Sequence, residues 1–307
     1  MTGKTGMLKA DKLTKSFDGK PAVHDISFTM QSHTIYGLLG SNGAGKSTLM
    51  RLLCGIYKPD SGTVFYDGES VYDNPNAKHK MFFVPDTPFY YPDFDMAQMG
   101  EFYKTVYKSW SDQLYHDLLR VLDLPEHLSM HKFSKGMLRQ AALVYGLSTL
   151  PNFLLMDEAF DGLDPIMRQA VRKHVIRQVA ELENTVLISS HNLREMEDFC
   201  DHVIFLHRGE QILTADMDDL RQLAYKVQIV WSPKNKPEIE KLPLNIQKLK
   251  RQGVLETYII KNSEDEIRSV LSEFSPVVLE IIPLTLEEVF FYELARKEYA
   301  VENLIGW

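Results

Sequence analysis

The sequence predicts an α/β protein in two parts: a first domain built on a largely parallel sheet with a helical insertion, followed by a small C-terminal α/β domain. Three observations carry this prediction. From Leu13 to about Gly209 short apolar runs alternate with helical patterns, as strands covered on both faces alternate with the helices that cover them. A glycine-rich segment ending in Lys and Ser, Gly40 to Thr48, stands directly between one apolar run and a helical run. After about Ala215 glycine nearly vanishes, leaving Gly253 and Gly306, so the texture of the chain changes there.

The elements follow in order. Thr34 to Leu39, Phe153 to Met156 and Thr185 to Ile188 lack polar alternation and read as buried strands. Leu49 to Cys54 reads as the start of a helix. Between the first two strands, Met99 to Tyr107, Leu114 to Leu122 and Met137 to Leu147 carry apolar residues at helical spacing. This stretch, roughly 86 to 150, is the expected helical insertion. Beyond residue 215, Lys226 to Trp231, Leu255 to Ile260 and Val277 to Ile282 predict strands around one helix, Ser263 to Phe274. The expected boundaries are 1–215 for the first domain and 216–307 for the accessory domain.

Composition narrows the function. The chain has 307 residues, 44% apolar and 25% charged, which fits a globular protein and excludes disorder and collagen. No run reaches the roughly 18 to 20 apolar residues needed to cross a bilayer, and the start lacks a signal-peptide core. A cytosolic location is expected. A net charge of -8 opposes broad attraction to phosphate backbones, so nucleic acid is not an expected partner. Cys54 and Cys200 are too few for a disulfide framework or a four-thiolate metal site.

Gly40-Ser41-Asn42-Gly43-Ala44-Gly45-Lys46-Ser47-Thr48 matches a phosphate-binding loop. Glycines let backbone amides converge on phosphate oxygens, and the helix that follows adds the positive end of its dipole. Lys46 would neutralise the β and γ phosphates of a nucleotide, and Ser47 would ligate Mg²⁺. The apolar run Phe153 to Met156 ends in two carboxylates, Asp157 and Glu158. Asp157 would hold the metal, and Glu158, one residue beyond the strand, would activate water. His191 follows another buried strand, so it should emerge at the same carboxyl edge and donate to a γ-phosphate.

A third element, Phe133-Ser134-Lys135-Gly136-Met137, lies between the loop and the acidic pair and opens a helix. With it, residues 7 to 215 resemble the nucleotide-binding subunit of an ATP-binding cassette (ABC) transporter. The order that carries the resemblance is phosphate loop, Asp86, Ser134 to Gly136, Asp157-Glu158, Gly162-Leu163-Asp164, then His191. The family implies an ATPase that uses ATP and Mg²⁺, with Asp86 as a further metal and water ligand. It implies two subunits packed head to tail, so that Ser134 and Gly136 of one complete the nucleotide site of the other. A homodimer fits the intact motif set. Asp164 would communicate between the sites, and Phe17 would stack on adenine. Three departures stand out: Asp86 where the family usually has glutamine, Lys135 and Met137 within the signature, and Ala159 in place of a frequent proline.

The family also implies transmembrane permease subunits, and hence a peripheral place on the cytoplasmic face of the membrane. Eleven of the 33 aromatic residues fall between Met81 and His116. The helical spacing of Phe102, Tyr103 and Tyr107 suits core packing. The aperiodic cluster Phe89, Tyr90 and Tyr91 is expected to line the groove that receives a short helix of the permease. The ending Pro283 to Phe290 resembles that of ABC-2 type exporter ATPases for drugs, lantibiotics and toxin-like peptides, including phenol-soluble modulin exporters. An amphipathic helix packed on the protein explains Leu286, Val289 and Phe290 equally well. Residues 221 to 307 are expected to pair the two subunits. Two other readings stay open: an importer ATPase with a regulatory tail, and a soluble ABC protein acting on ribosomes or DNA. A single phosphate loop, a short insertion and the net acidity speak against the second.

Overall fold

β1 (Leu8–Phe17) and β2 (Lys20–Met30) turn Leu8, Ala10, Leu13, Val23 and Ile26 into the core, with breaks in the polar–apolar alternation. The two strands pair antiparallel. β3 (Ile35–Leu39) is buried at every position and leads through the glycine-rich segment into α1 (Lys46–Leu53). β4 (Ser61–Tyr66) pairs with β1 and with β5 (Glu69–Ser70), completing a four-stranded sheet of order β2-β1-β4-β5. The sequence reading does not foresee this antiparallel sheet. Its register shifts at Ala10/Leu13, Leu13/Lys15 and Lys15/Ser16, and each shift breaks the two-residue period by which a strand is recognised. The computed structural model describes residues 6–233 and 235–296.

After α2 (Pro75–Lys78), capped by Asn74, the buried strand β6 (Met81–Val84) leads to the expected insertion. It holds α3 (Met96–Val106), α4 (Asp112–Val121) and α5 (Lys135–Ser148). Each begins on a side-chain cap. Asp95 and Gln98 form a capping box, Ser111 accepts from Leu114 N, and the Ser134 hydroxyl accepts from Met137 N at 3.2 Å. The chain then runs through β7 (Phe153–Asp157), α6 (Pro165–Leu182), β8 (Thr185–Ser190), α7 (Leu193–Glu197), β9 (His202–His207) and β10 (Glu210–Asp216). Asp164 caps α6, with Pro165 in its first turn.

The central sheet has the order β10-β9-β3-β8-β7-β6. Pairing from β9 across to β6 is parallel, and β3, β7 and β8 are buried along their whole length, as the absence of polar alternation predicts. Register places Leu39 beside Ser190, Asp157 beside Ser189 and Val84 beside Met156. The strands that precede the phosphate loop, Asp86, Glu158 and His191 therefore end on one edge.

A second unit comprises Leu193–Glu197 and the chain from Ala215, while the rest of the described chain up to Thr214 forms the first. The second unit holds α8 (Met217–Arg221), β11 (Tyr225–Val230), β12 (Ile246–Gln252), β13 (Leu255–Ile260), α9 (Glu264–Ser272), β14 (Val278–Pro283) and α10 (Leu286–Arg296). Its antiparallel sheet, β12-β13-β11-β14, buries Val227, Ile229, Tyr258 and Ile260 with Ile267 and Leu271 of α9. The last two are four residues apart, so they share one helix face. The sequence reading misses β12, an edge strand whose Lys248, Lys250 and Arg251 hide the apolar alternation. α7 groups here through contact with α10: Leu286 N donates to Glu197 Oε1 at 3.2 Å, and Arg194 lies 3.5 Å from Glu287. Of the expected accessory domain, Lys234 and residues 297–307 lie outside the described residues. No described helix is long and apolar enough to cross a membrane.

Candidate active site

The phosphate loop has its shape because two of its glycines have no Cβ. Gly40 and Gly45 have φ of 155° and 102°, and a Cβ on either would stand 2.3 Å from a backbone oxygen, of Leu206 and of Ala22 respectively. The loop is braced from the turn after β9, since Gly209 N donates to Ala44 O at 3.0 Å. Ala44 is buried, and Ser41, Asn42 and Gly43 are exposed, as the solvent-facing part of an anion cradle must be. Lys46 is 5% exposed, and its Nζ donates to the carbonyls of Gly40 (2.8 Å) and Ser41 (3.3 Å). Ser47 and Thr48 follow on the first turn of α1.

Opposite the loop stand the carboxylates. Asp157 is fully buried: its Oδ1 accepts from Ser189 Oγ at 2.6 Å, and its Oδ2 meets no donor among the described residues. A buried acceptor without a partner costs about 1–3 kcal/mol. Asp157 and Ser47 are oxygen donors of the kind that a hard cation takes, so the residues present fit Mg²⁺. Ser189 Oγ also accepts from Glu158 N at 2.9 Å and so fixes both acids from the neighbouring strand. Glu158 adopts φ 48°, a left-handed conformation unusual for a side chain with a Cβ. Its Oε1 lies 3.5 Å from Lys46 Nζ and 3.7 Å from His191 Nδ1. Asp161 Oδ2 lies 3.8 Å from the same His191 nitrogen, and Glu158, Asp161 and His191 form one cluster.

The structure thus brings together Lys46, Glu158 and His191, three of the four expected catalytic residues. The fourth, Asp86, has another partner: its carboxylate pairs with Arg51 at 3.4 Å, whose guanidinium carbon lies 6.0 Å from the ring centroids of Tyr57 and Phe83. Ser134 is exposed and caps α5, and a Cβ on Gly136 would approach nothing within 4 Å except Ser134 Oγ. Neither residue bonds to the phosphate loop of its own chain. Phe17 is 42% exposed and stands edge-on to Tyr57, with ring centroids 5.5 Å apart, leaving ring surface open for stacking. Ser189, Asp161, Arg51 and Arg139 escape the sequence reading. For Ser189 a signal exists, a pair of serines closing an otherwise apolar strand just before His191.

Beside Asp86 lies a cleft of about 290 Å³ lined by Cys54, Phe82, Phe83, Phe89, Tyr103 and Tyr107, among others. Of the aromatic cluster, Phe89 lines this cleft and Tyr90 and Tyr91 do not. Tyr91 packs instead on Phe89, Phe94 and Phe102. Tyr103 and Tyr107 pack on Phe82, as helical spacing predicts.

Comparison with known proteins gives this geometry a family. The family described as ABC transporter matches residues 23–161. The chain is similar to the ABC transporter ATP-binding protein YtrB of Bacillus subtilis (strain 168), with 31% identity over 95% of this chain and 99% of that protein. It is also similar to the bacitracin transport ATP-binding protein BcrA of Bacillus licheniformis, with 25% identity over 92% and 94% of the two chains. A solved structure of an ATP-binding subunit of an ABC transporter aligns with a TM-score of 0.65 and 26% identity over 70% of this chain and 92% of that one. On this evidence the chain belongs to the ABC transporter family as an ATP-binding subunit, an ABC-type ATPase.

Proposed function

We propose that this subunit energises a membrane exporter of peptides, antimicrobials or other amphipathic compounds, working as a pair beneath separate transmembrane subunits. Relatives support export: BcrA is named for bacitracin transport, and LnrL of Bacillus subtilis (strain 168), 30% identical over 70% of this chain, for linearmycin resistance. The extent of one match also supports export. The likeness to BcrA spans 92% of the chain and so continues into the small unit, whereas that to the Fe(3+) import protein FbpC 2 of Pectobacterium atrosepticum spans 66%.

The observation that carries the chemistry is Glu158 Oε1, held between Lys46 Nζ and His191 Nδ1. In the proposed mechanism the loop amides and Lys46 hold the β and γ phosphates of ATP, and Phe17 stacks on adenine. Glu158 takes the proton of the attacking water, and His191 donates to a γ-phosphate oxygen. Mg²⁺, held by Ser47 and Asp157 with Asp86 beside them, supplies charge neutralisation at the phosphates when bound. Ser134 and Gly136 close the site of the partner subunit with the N-terminus of α5. The region from residue 216 onward pairs the subunits, and the cleft at Phe83 and Phe89 receives a short segment of the permease.

The deciding variant is Glu158→Gln. It should bind ATP as the parent does and trap the closed pair, while steady-state phosphate release falls about 10²- to 10⁴-fold. Substantial remaining turnover would remove Glu158 as the base. The permease and its cargo are reached by identifying the membrane protein that co-purifies from detergent extracts.

A further inference from the structure

The two loops that carry the site's acids leave adjacent strands in register. Among the described residues no backbone hydrogen bond joins Asp86 to the turn from Glu158 to Asp164. One side chain from a third element does. Arg139 of α5 donates from Nε to the Asp86 carbonyl at 3.2 Å and from a terminal nitrogen to the Asp161 carbonyl at 3.4 Å. The guanidinium is a planar fork of fixed geometry, so the spacing of its nitrogens sets the spacing of the two loops.

Both ends of this bridge lead to reacting groups. Asp161 N donates to Glu158 O at 3.1 Å, closing the turn that holds Glu158 at its positive φ, and the Asp161 carboxylate faces His191. At the other end Asp86 is gripped twice, by Arg139 at its carbonyl and by Arg51 of the phosphate-loop helix at its carboxylate. Pro85 and Pro88, on either side of Asp86, line the aromatic cleft. Arg139 also shares its helix with Ser134 and Gly136, five and three residues earlier, or roughly 7 Å and 4 Å along the axis.

We propose that Arg139 is a positioning residue for ATP hydrolysis: its guanidinium locks the Asp86 loop to the Glu158–Asp161 turn, so that movement at the cleft or at the start of α5 reaches Glu158 through two carbonyl contacts. This rests on the reading of Glu158 as the base. An ammonium is a point donor that cannot span the two carbonyls as the fork does, so Arg139→Lys should fail as Arg139→Gln does.

The test uses the full chain with Mg-ATP. In both variants kcat should fall about tenfold or more, with KM and ATP affinity within about twofold of the parent and the melting temperature unchanged. Spin labels at the exposed positions Thr87→Cys and Gln169→Cys should show one narrow distance distribution that broadens in Arg139→Gln; the buried Cys54 and Cys200 stay unlabelled. Unchanged kcat, full rescue by lysine, or a loss of turnover matched by lost ATP affinity and melting temperature overturns the proposal. Glu158→Gln, measured in parallel, tests the base separately. If it retains turnover, the base assignment fails, and the distance distributions alone then decide whether Arg139 joins the two loops.

Discussion

Asp157 in the cassette and Glu256 in the small unit are both carboxylates sealed within strands, 0% and 3% exposed, yet their surroundings differ in kind. Glu256 Oε2 accepts from Trp231 Nε1 at 3.1 Å and from the Tyr258 hydroxyl at 2.7 Å. Its Oε1 pairs with Lys236 and has Arg251 Nε 3.7 Å away. Burial pushes its pKa up, and the Lys236 ammonium with the Tyr258 and Trp231 donors more than reverses this, leaving the carboxyl below its ordinary value. Asp157 has one donor and an oxygen that meets none. A saturated buried charge holds a fold together; an unsaturated one is held ready for a ligand.

The largest effect should come from the unsaturated acid. Asp157→Asn removes the charge proposed to face Mg²⁺ and should lower phosphate release about 10²- to 10³-fold, while costing less in denaturant unfolding than Glu256→Leu. A loss of stability comparable to the loss of rate would erase the contrast with Glu256. In the small unit, Glu256→Leu should leave ATP binding intact and cost about 3 kcal/mol in denaturant unfolding, because Trp231 and Tyr258 lose their acceptor inside the protein.

Acid sharpens the same contrast. Glu256 titrates below its unfolded value of 4.5 when folded, so its contribution is complete above that value and is lost as pH falls through the folded pKa. Glu288 shifts the same way: burial raises its pKa, and Lys226 and Thr285 N lower it further than burial raises it. Near-ultraviolet circular dichroism should show acid unfolding that moves to higher pH in Glu256→Leu. The smallest change belongs to Phe17, an exposed ring proposed to stack on adenine. Phe17→Ala should weaken ATP binding by about 1 kcal/mol, near the lower end for base stacking, with no change in melting temperature.

The sequence reveals what is local. The phosphate loop, the acids after a buried strand and the histidine after another are each contained in a few consecutive residues. What it conceals joins distant positions. Ser189 reaches Asp157 across 32 residues and Arg139 reaches Asp86 across 53, through contacts that leave no periodic trace. Asp86 shows the same limit, since its residue type points to a metal ligand and the Arg51 pairing appears only once α1 and β6 are folded. In the aromatic cluster Phe89 lines the cleft while Tyr91 packs behind it on Phe89, Phe94 and Phe102.

α7 begins two residues after His191, yet it groups with the small unit, where Met196 is wholly buried and Glu197 takes the first amide of α10. The small unit is therefore interleaved with the cassette rather than appended to it. Removing it in one cut after residue 215 would strip five residues beside His191 of the helix on which they pack.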